Sequence, residues 1–297
     1  MPISRCRRAV YSALVSLCAL LARAQTPEVS IFADITPTWS ANAGQTNLLR
    51  WYDAQGRYSV VGMYMILETG NVLKVTQRLE KVDNGGDPDS LDEAYIESRG
   101  SWRIGKQYLP FGTQTFLRET APALRYDTRL VIEALPIKVA ASDNGVGLTR
   151  GVVVRVGDSV GVSYAIGDHF AIQGSALTPI RRPEEAPGRG RGYSRAWGLD
   201  ASKNWGGGVL EFEWVSLIEG ATALDVDMNL SDLRFRFSTP GTVFPLTLGW
   251  TREWDCRKDW YSVTGEFPVS HMLVWQPFIR FQGRGWHDFA LSAKVRL

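Results

Sequence analysis

The densest run of groups able to handle charge lies between Thr113 and Asn144, where Arg118, Arg125 and Arg129 are interspersed with Glu119, Asp127 and Glu133. A guanidinium group stays protonated and presents its donors in a rigid fork, so several of them at one aperture attract and orient carboxylate or phosphate. The same stretch carries Leu117, Leu124, Leu130, Val131, Ile132, Leu135 and Ile137, more apolar surface than a solvated loop needs. It is expected to be one long loop that folds inward, buries its apolar side against a wall and leaves its arginines at a constriction. An extracellular cap would account for the same residues.

Other groups that could do chemistry are isolated. Asp168-His169 and His287-Asp288 each set an acid beside a base, but neighbours in a strand point to opposite faces, and no nucleophile stands near either pair. Gly-x-Ser-x-Gly is absent, and no catalytic residue is assigned. Asp83 to Asp89 is oxygen-rich like a calcium loop but lacks the twelve-residue ligand spacing. His169, His271 and His287 are scattered, and Cys256 is the one cysteine left after the leader described below, so neither a metal nor a cofactor is expected. With 33 Lys plus Arg against 31 Asp plus Glu, the chain is no basic nucleic-acid binder, and the run Gly188-Arg189-Gly190-Arg191-Gly192 reads as a surface loop.

The elements that must position these groups are strands. Arg5, Arg7 and Arg8 precede an apolar run from Ala9 to Leu21 and a small-residue site Ala22-Arg23-Ala24, the pattern of a cleaved signal peptide over residues 1–24. Its four arginines carry the formal charge from +2 to −2 when they leave. Beyond it no run approaches the ~18 apolar residues of a membrane helix. Alternation recurs instead. Val152, Val154 and Val156 share a face, as do Val160, Val162, Tyr164 and Ile166, then Leu210, Phe212 and Trp214, and Phe289, Leu291, Ala293, Val295 and Leu297. The opposite faces hold Lys74, Arg78, Glu80, Arg155, Glu211, Glu213, Arg234, Arg236, Lys294 and Arg296. A watery lumen solvates such charges, whereas a packed core would not. Links between strands alternate short and long, as in outer-membrane barrels. The pattern predicts an all-β, antiparallel transmembrane barrel of about fourteen strands, twelve to sixteen, spanning residues 25–297 with long loops near 110–144 and 167–193 and both termini in the periplasm. Tyr164, Trp197, Trp205, Trp250, Trp254, Trp260 and Trp275 are the candidates for its interface girdles.

Asp92-Glu93-Ala94-Tyr95-Ile96, followed by Ile104-Gly105-Lys106-Gln107-Tyr108-Leu109 and the strand exit Pro110-Phe111-Gly112, resembles outer-membrane porins of the legiobactin-receptor (LbtU) type. The resemblance covers roughly the stretch from Asp92 to Arg150. It implies a channel in the outer membrane that passes small polar or anionic solutes, siderophores among them, without TonB coupling. The partners it implies are outer-membrane lipid, the barrel-assembly machinery and small-molecule solutes, with no nucleic acid and no particular oligomeric state. A secreted β-sandwich binding module is the reading from another class, and a barrel-type outer-membrane enzyme is the third.

Overall fold

The computed structural model describes residues 28–297 apart from 43–44, 51–58, 83–88, 99–100, 117–119, 131–134, 143–150, 171–192, 221–226, 239–243 and 284. The expected signal peptide lies outside the described residues.

Among the described residues nineteen strand segments form one antiparallel sheet that closes on itself. The first stave is bent, its halves being β1 (Glu28–Ile35) and β2 (Thr38–Asn42), and the second is likewise divided into β3 (Gln45–Arg50) and β4 (Val60–Ile66). The stave next to β18 (Leu273–Gln282) is also split, into β16 (Lys258–Gly265) and β17 (Phe267–Pro268). Three divided staves reduce nineteen segments to sixteen strands. Closure is made where β19 (Gly285–Arg296) pairs with the first stave, Asp34 opposite Arg296 and Leu291 opposite Trp39. A closed barrel has no unpaired edge, which excludes the two-sheet sandwich.

The strand count corrects the expected fourteen. Residues 113–144 are not one loop: they contain β8 (Thr120–Leu130) and β9 (Leu135–Ser142), a hairpin of the wall that pairs with β7 (Trp102–Tyr108) on one side and β10 (Gly151–Gly157) on the other. The physical reason is that Pro122 and a dense run of charge mask the alternation, although Ala121, Ala123 and Arg125 interleave with Pro122, Leu124 and Tyr126 as in any strand. The other expected long loop shortens as well, because β11 (Val160–Phe170) and β12 (Tyr193–Trp205) extend into it.

The outer face of the barrel is apolar and uncovered. Ile31 is 82% exposed, and Ile104 and Leu124, direct cross-strand partners, are 54% and 55% exposed. An apolar outer face of this kind suits contact with hydrocarbon. No helix among the described residues is long and apolar enough to cross a membrane. Trp205 in the β12 turn, Trp254 between β15 (Leu246–Glu253) and β16, and Trp286 at the start of β19 are exposed near strand ends. Trp260 is a correction to the girdle: it faces inward beside Thr251 and is 2% exposed, edge-on to His287 at 4.8 Å.

Candidate functional site: a divided barrel lumen

The site begins where β7 ends. Residues 109–116 turn into the barrel rather than over it, with Phe111 N–H donating to the Leu109 carbonyl at 2.9 Å and Gln114 N–H to the Phe111 carbonyl at 3.2 Å. Gly112 has φ of 50°, a left-handed conformation that glycine adopts at little cost. This exit motif thus does more than end a strand. Gly112 N–H donates to Ser163 Oγ at 3.0 Å, Thr115 N–H to Glu213 at 2.9 Å, and the Thr113 hydroxyl to the same carboxylate. Ser163 lies on β11 and Glu213 on β13 (Gly208–Gly220), so the segment spans to the far wall.

Sheet register explains why it docks there. Reading cross-strand partners around the lumen, Glu97, Arg103 and Arg125 are followed in the same row by Ala140, Val153, Ala165, Ala196, Leu217 and Met228. Charged on β6 (Asp89–Ser98), β7 and β8, the row becomes apolar from β9 onward. Leu109, Phe111 and Phe116 pack on that apolar stretch, all 3% exposed or less. Phe111 sits over Gly198, where an added Cβ would lie 2.7 Å from the ring. Burying a Leu or Phe stabilises by ~1.5–3 kcal/mol each, enough to hold the segment against the wall when combined with two bonds to a carboxylate.

A second row runs parallel. Asp200, Glu213 and Asp232 are successive cross-strand partners, all 3% exposed or less. Three carboxylates side by side repel, so each has its own donors. Arg155 reaches Asp200 through Nη2 at 2.5 Å and Nε at 3.1 Å. Arg234 approaches Asp232 at 2.6 Å, Thr251 Oγ1 donates to it at 2.7 Å, and the inserted segment supplies Glu213. Arg155, Glu213 and Arg234 thus belong to the filled half of the lumen, while Glu211 and Arg236 remain exposed, Arg236 at 2.8 Å from Glu266.

The open half is a cavity of about 510 Å³. Its wall brings together Lys74, Arg103, Arg125, Lys294 and Arg296 with Asp34, Asp92 and Glu93, and its inner side is Thr113 and Gln114 of the inserted segment. Among these lining residues cations outnumber carboxylates, and Lys294 and Arg296 share one partner, Asp34, at 3.2 and 3.9 Å. Lys74 pairs with Glu93, and Arg103 pairs with Glu97 at 2.5 Å while its guanidinium lies 4.1 Å from the Tyr95 ring centre. Arg78 is buried behind this wall against Asp92 at 2.7 Å, and Tyr108 donates to the same carboxylate at 2.7 Å.

Of the constriction candidates, Arg125 lines the cavity. Asp127 and Arg129 occupy the next alternate positions of β8, in the wall, as Glu80 does on β5 (Val72–Val82). Arg118, Glu119 and Glu133 lie outside the described residues. Sequence reasoning did not assign Asp34, Arg103, Asp200 or Asp232 to the site. Arg103 could have been found from the strand face it shares with Gly105 and Gln107, but the three aspartates carry no local signal beyond strand parity. Asp92, Glu93 and Tyr95, which carried the family resemblance, line the cavity itself.

Among the described residues no cluster of three or more His, Cys, Asp and Glu is placed to hold a metal ion. No protein-family profile matches the chain, and no curated protein matches its sequence. Solved structures do match in fold. The outer-membrane protein OmpT of Vibrio cholerae, in trimer form, superposes with a TM-score of 0.60 at 8% identity, over 92% of this chain and 100% of that one. The anion-selective porin from Comamonas acidovorans gives 0.56 at 11% identity, over 91% and 99%. The outer-membrane channel DcaP of Acinetobacter baumannii gives 0.56 at 10% identity, over 92% and 98%. A closed sixteen-stranded barrel, apolar outside and charged within, this chain has the fold of the outer-membrane porins and spans the outer membrane as a multi-pass β-barrel.

Proposed function

We propose that the protein is a passive outer-membrane channel that favours small anionic solutes. The observation that carries this reading is the divided lumen: one half filled by residues 109–116, the other left as a cavity whose lining holds five cations against three carboxylates. Fixed positive charge at a narrow aperture concentrates anions and repels cations. The porin fold supports transport over catalysis, and the histidines add nothing to the contrary, His287 being packed edge-on against Trp260. Passage without TonB coupling is part of this reading. Siderophores carrying carboxylates are the larger solutes that the family resemblance adds to the same path.

The test is reversal potential in a planar bilayer under a KCl gradient. The wild-type channel should prefer chloride to potassium, and replacing Arg103 and Arg125 together by alanine should shift the preference toward potassium. An absence of conductance, or a selectivity indifferent to both arginines, refutes the reading. Uptake of a ferric carboxylate siderophore into cells lacking TonB tests the larger solute.

A further inference from the structure

The open half of the lumen carries rings where a water-filled pore gains nothing from them. Around its wall Tyr64, Lys74 and Tyr95 are successive cross-strand partners on β4, β5 and β6, so all three share the lumen face. Phe32, on β1, stacks on Tyr64 with ring centres 5.0 Å apart and planes 27° apart. Gly62 makes room for this: a Cβ there would lie 2.7 Å from Phe32 Cζ, so the Phe32 ring lies down on the wall. Lys74 Nζ sits 5.5 Å from the Tyr64 ring centre and 5.8 Å from that of Tyr95, and Arg103 covers Tyr95. Ring and cation therefore alternate along one strip, and Tyr64 at its end, next to the cavity-lining Phe32 and Lys74, is 38% exposed. Phe111, Phe116 and Trp260, by contrast, are buried in the filled half.

From this strip we infer that the channel holds a binding site for aromatic carboxylates. The inference rests on the anion-channel reading and names its substrate class. An aryl ring laid against the exposed part of Tyr64 removes apolar surface from water on both partners and takes an offset or edge-to-face arrangement. Its carboxylate then meets the Lys74 ammonium, which has three N–H donors and gives one to Glu93. Aliphatic carboxylates of the same charge find the cation but no ring, so aromatic ones are retained longer at this station. Cation and ring side by side also reinforce each other, because the ammonium is attracted to the π-face.

Benzoate and acetate are the probes, added to the full-length channel in a planar bilayer while chloride current is recorded. Benzoate should block the chloride current saturably, at a concentration at least several-fold below that for acetate. Tyr64→Ala should raise the half-blocking benzoate concentration by roughly 3- to 10-fold relative to acetate measured on the same variant, the loss of one aromatic pair. Tyr64→Phe, which keeps the ring, should restore the wild-type ratio. Equal block by benzoate and acetate in the wild type, or an unchanged ratio in Tyr64→Ala, overturns the aromatic site. A wild-type channel without preference for chloride over potassium instead overturns the anion-channel reading beneath it. Heat-modifiable migration of each variant confirms that the barrel has formed.

Discussion

Removing the Phe111 ring should unlatch residues 109–116 from the barrel wall. Phe111 is 2% exposed and lies across Gly198, and replacing a buried Phe by Ala costs ~3–5 kcal/mol in lost transfer and cavity formation. At ~1.4 kcal/mol per decade, a loss near 4 kcal/mol multiplies the undocked population by about 10³. Glu213→Gln provides the internal scale. It keeps the shape and exchanges charge-assisted bonds from Thr115 and Thr113 for neutral ones, a loss of ~1–2 kcal/mol, or about tenfold. Single-channel recording resolves the difference, because undocking opens the filled half of the lumen and adds a state of higher conductance. Phe111→Ala should occupy that state about a hundred times more than Glu213→Gln, while both variants remain heat-modifiable barrels. If Phe111→Ala shows the wild-type conductance histogram, apolar burial does not hold the segment. If Glu213→Gln opens the channel more than Phe111→Ala, hydrogen bonding rather than apolar burial holds the segment.

Three further outcomes follow from the same geometry. Gly198→Val places side-chain atoms within 2.7 Å of the Phe111 ring and should reproduce the high-conductance state of Phe111→Ala from the opposite side of the contact, read by the same recording. Arg78→Leu strands the buried carboxylate of Asp92 and should lower unfolding stability by ~3–5 kcal/mol in urea titration, whereas Arg78→Leu with Asp92→Leu should recover most of the loss. Ile104→Arg sets a charge on the lipid face, where it is 54% exposed, and should cost up to ~2–4 kcal/mol on refolding into bilayers, while Glu211→Gln on the lumen face should be close to neutral.

Each strand's two faces are a local property, since side chains at i and i+2 point the same way. That is why Val152 to Val156 separate from Arg155, and Leu210 to Trp214 from Glu211 and Glu213, and why an all-β barrel with charge inside is legible in the sequence. Alternation failed only where other signals competed with it, as at Pro122 in β8, which hid two of the sixteen strands inside an expected loop. Trp260 shows the converse limit: a tryptophan near a strand end reads as a girdle residue until its neighbours reveal which face it is on.

What a strand cannot announce is which residues of other strands stand beside its own. One row passes from Glu97, Arg103 and Arg125 to Ala140, Val153, Ala165 and Ala196, and that change from charged to apolar exists only in the register of seven strands. Docking of Pro110-Phe111-Gly112 depends on it, because the segment seats on residues up to a hundred positions away, such as Glu213. The chain alone therefore determined a barrel wall with sorted faces and a strand exit able to turn. Tertiary closure alone decided that the exit points inward, that half of the lumen is filled, and that ring and cation share the strip left open.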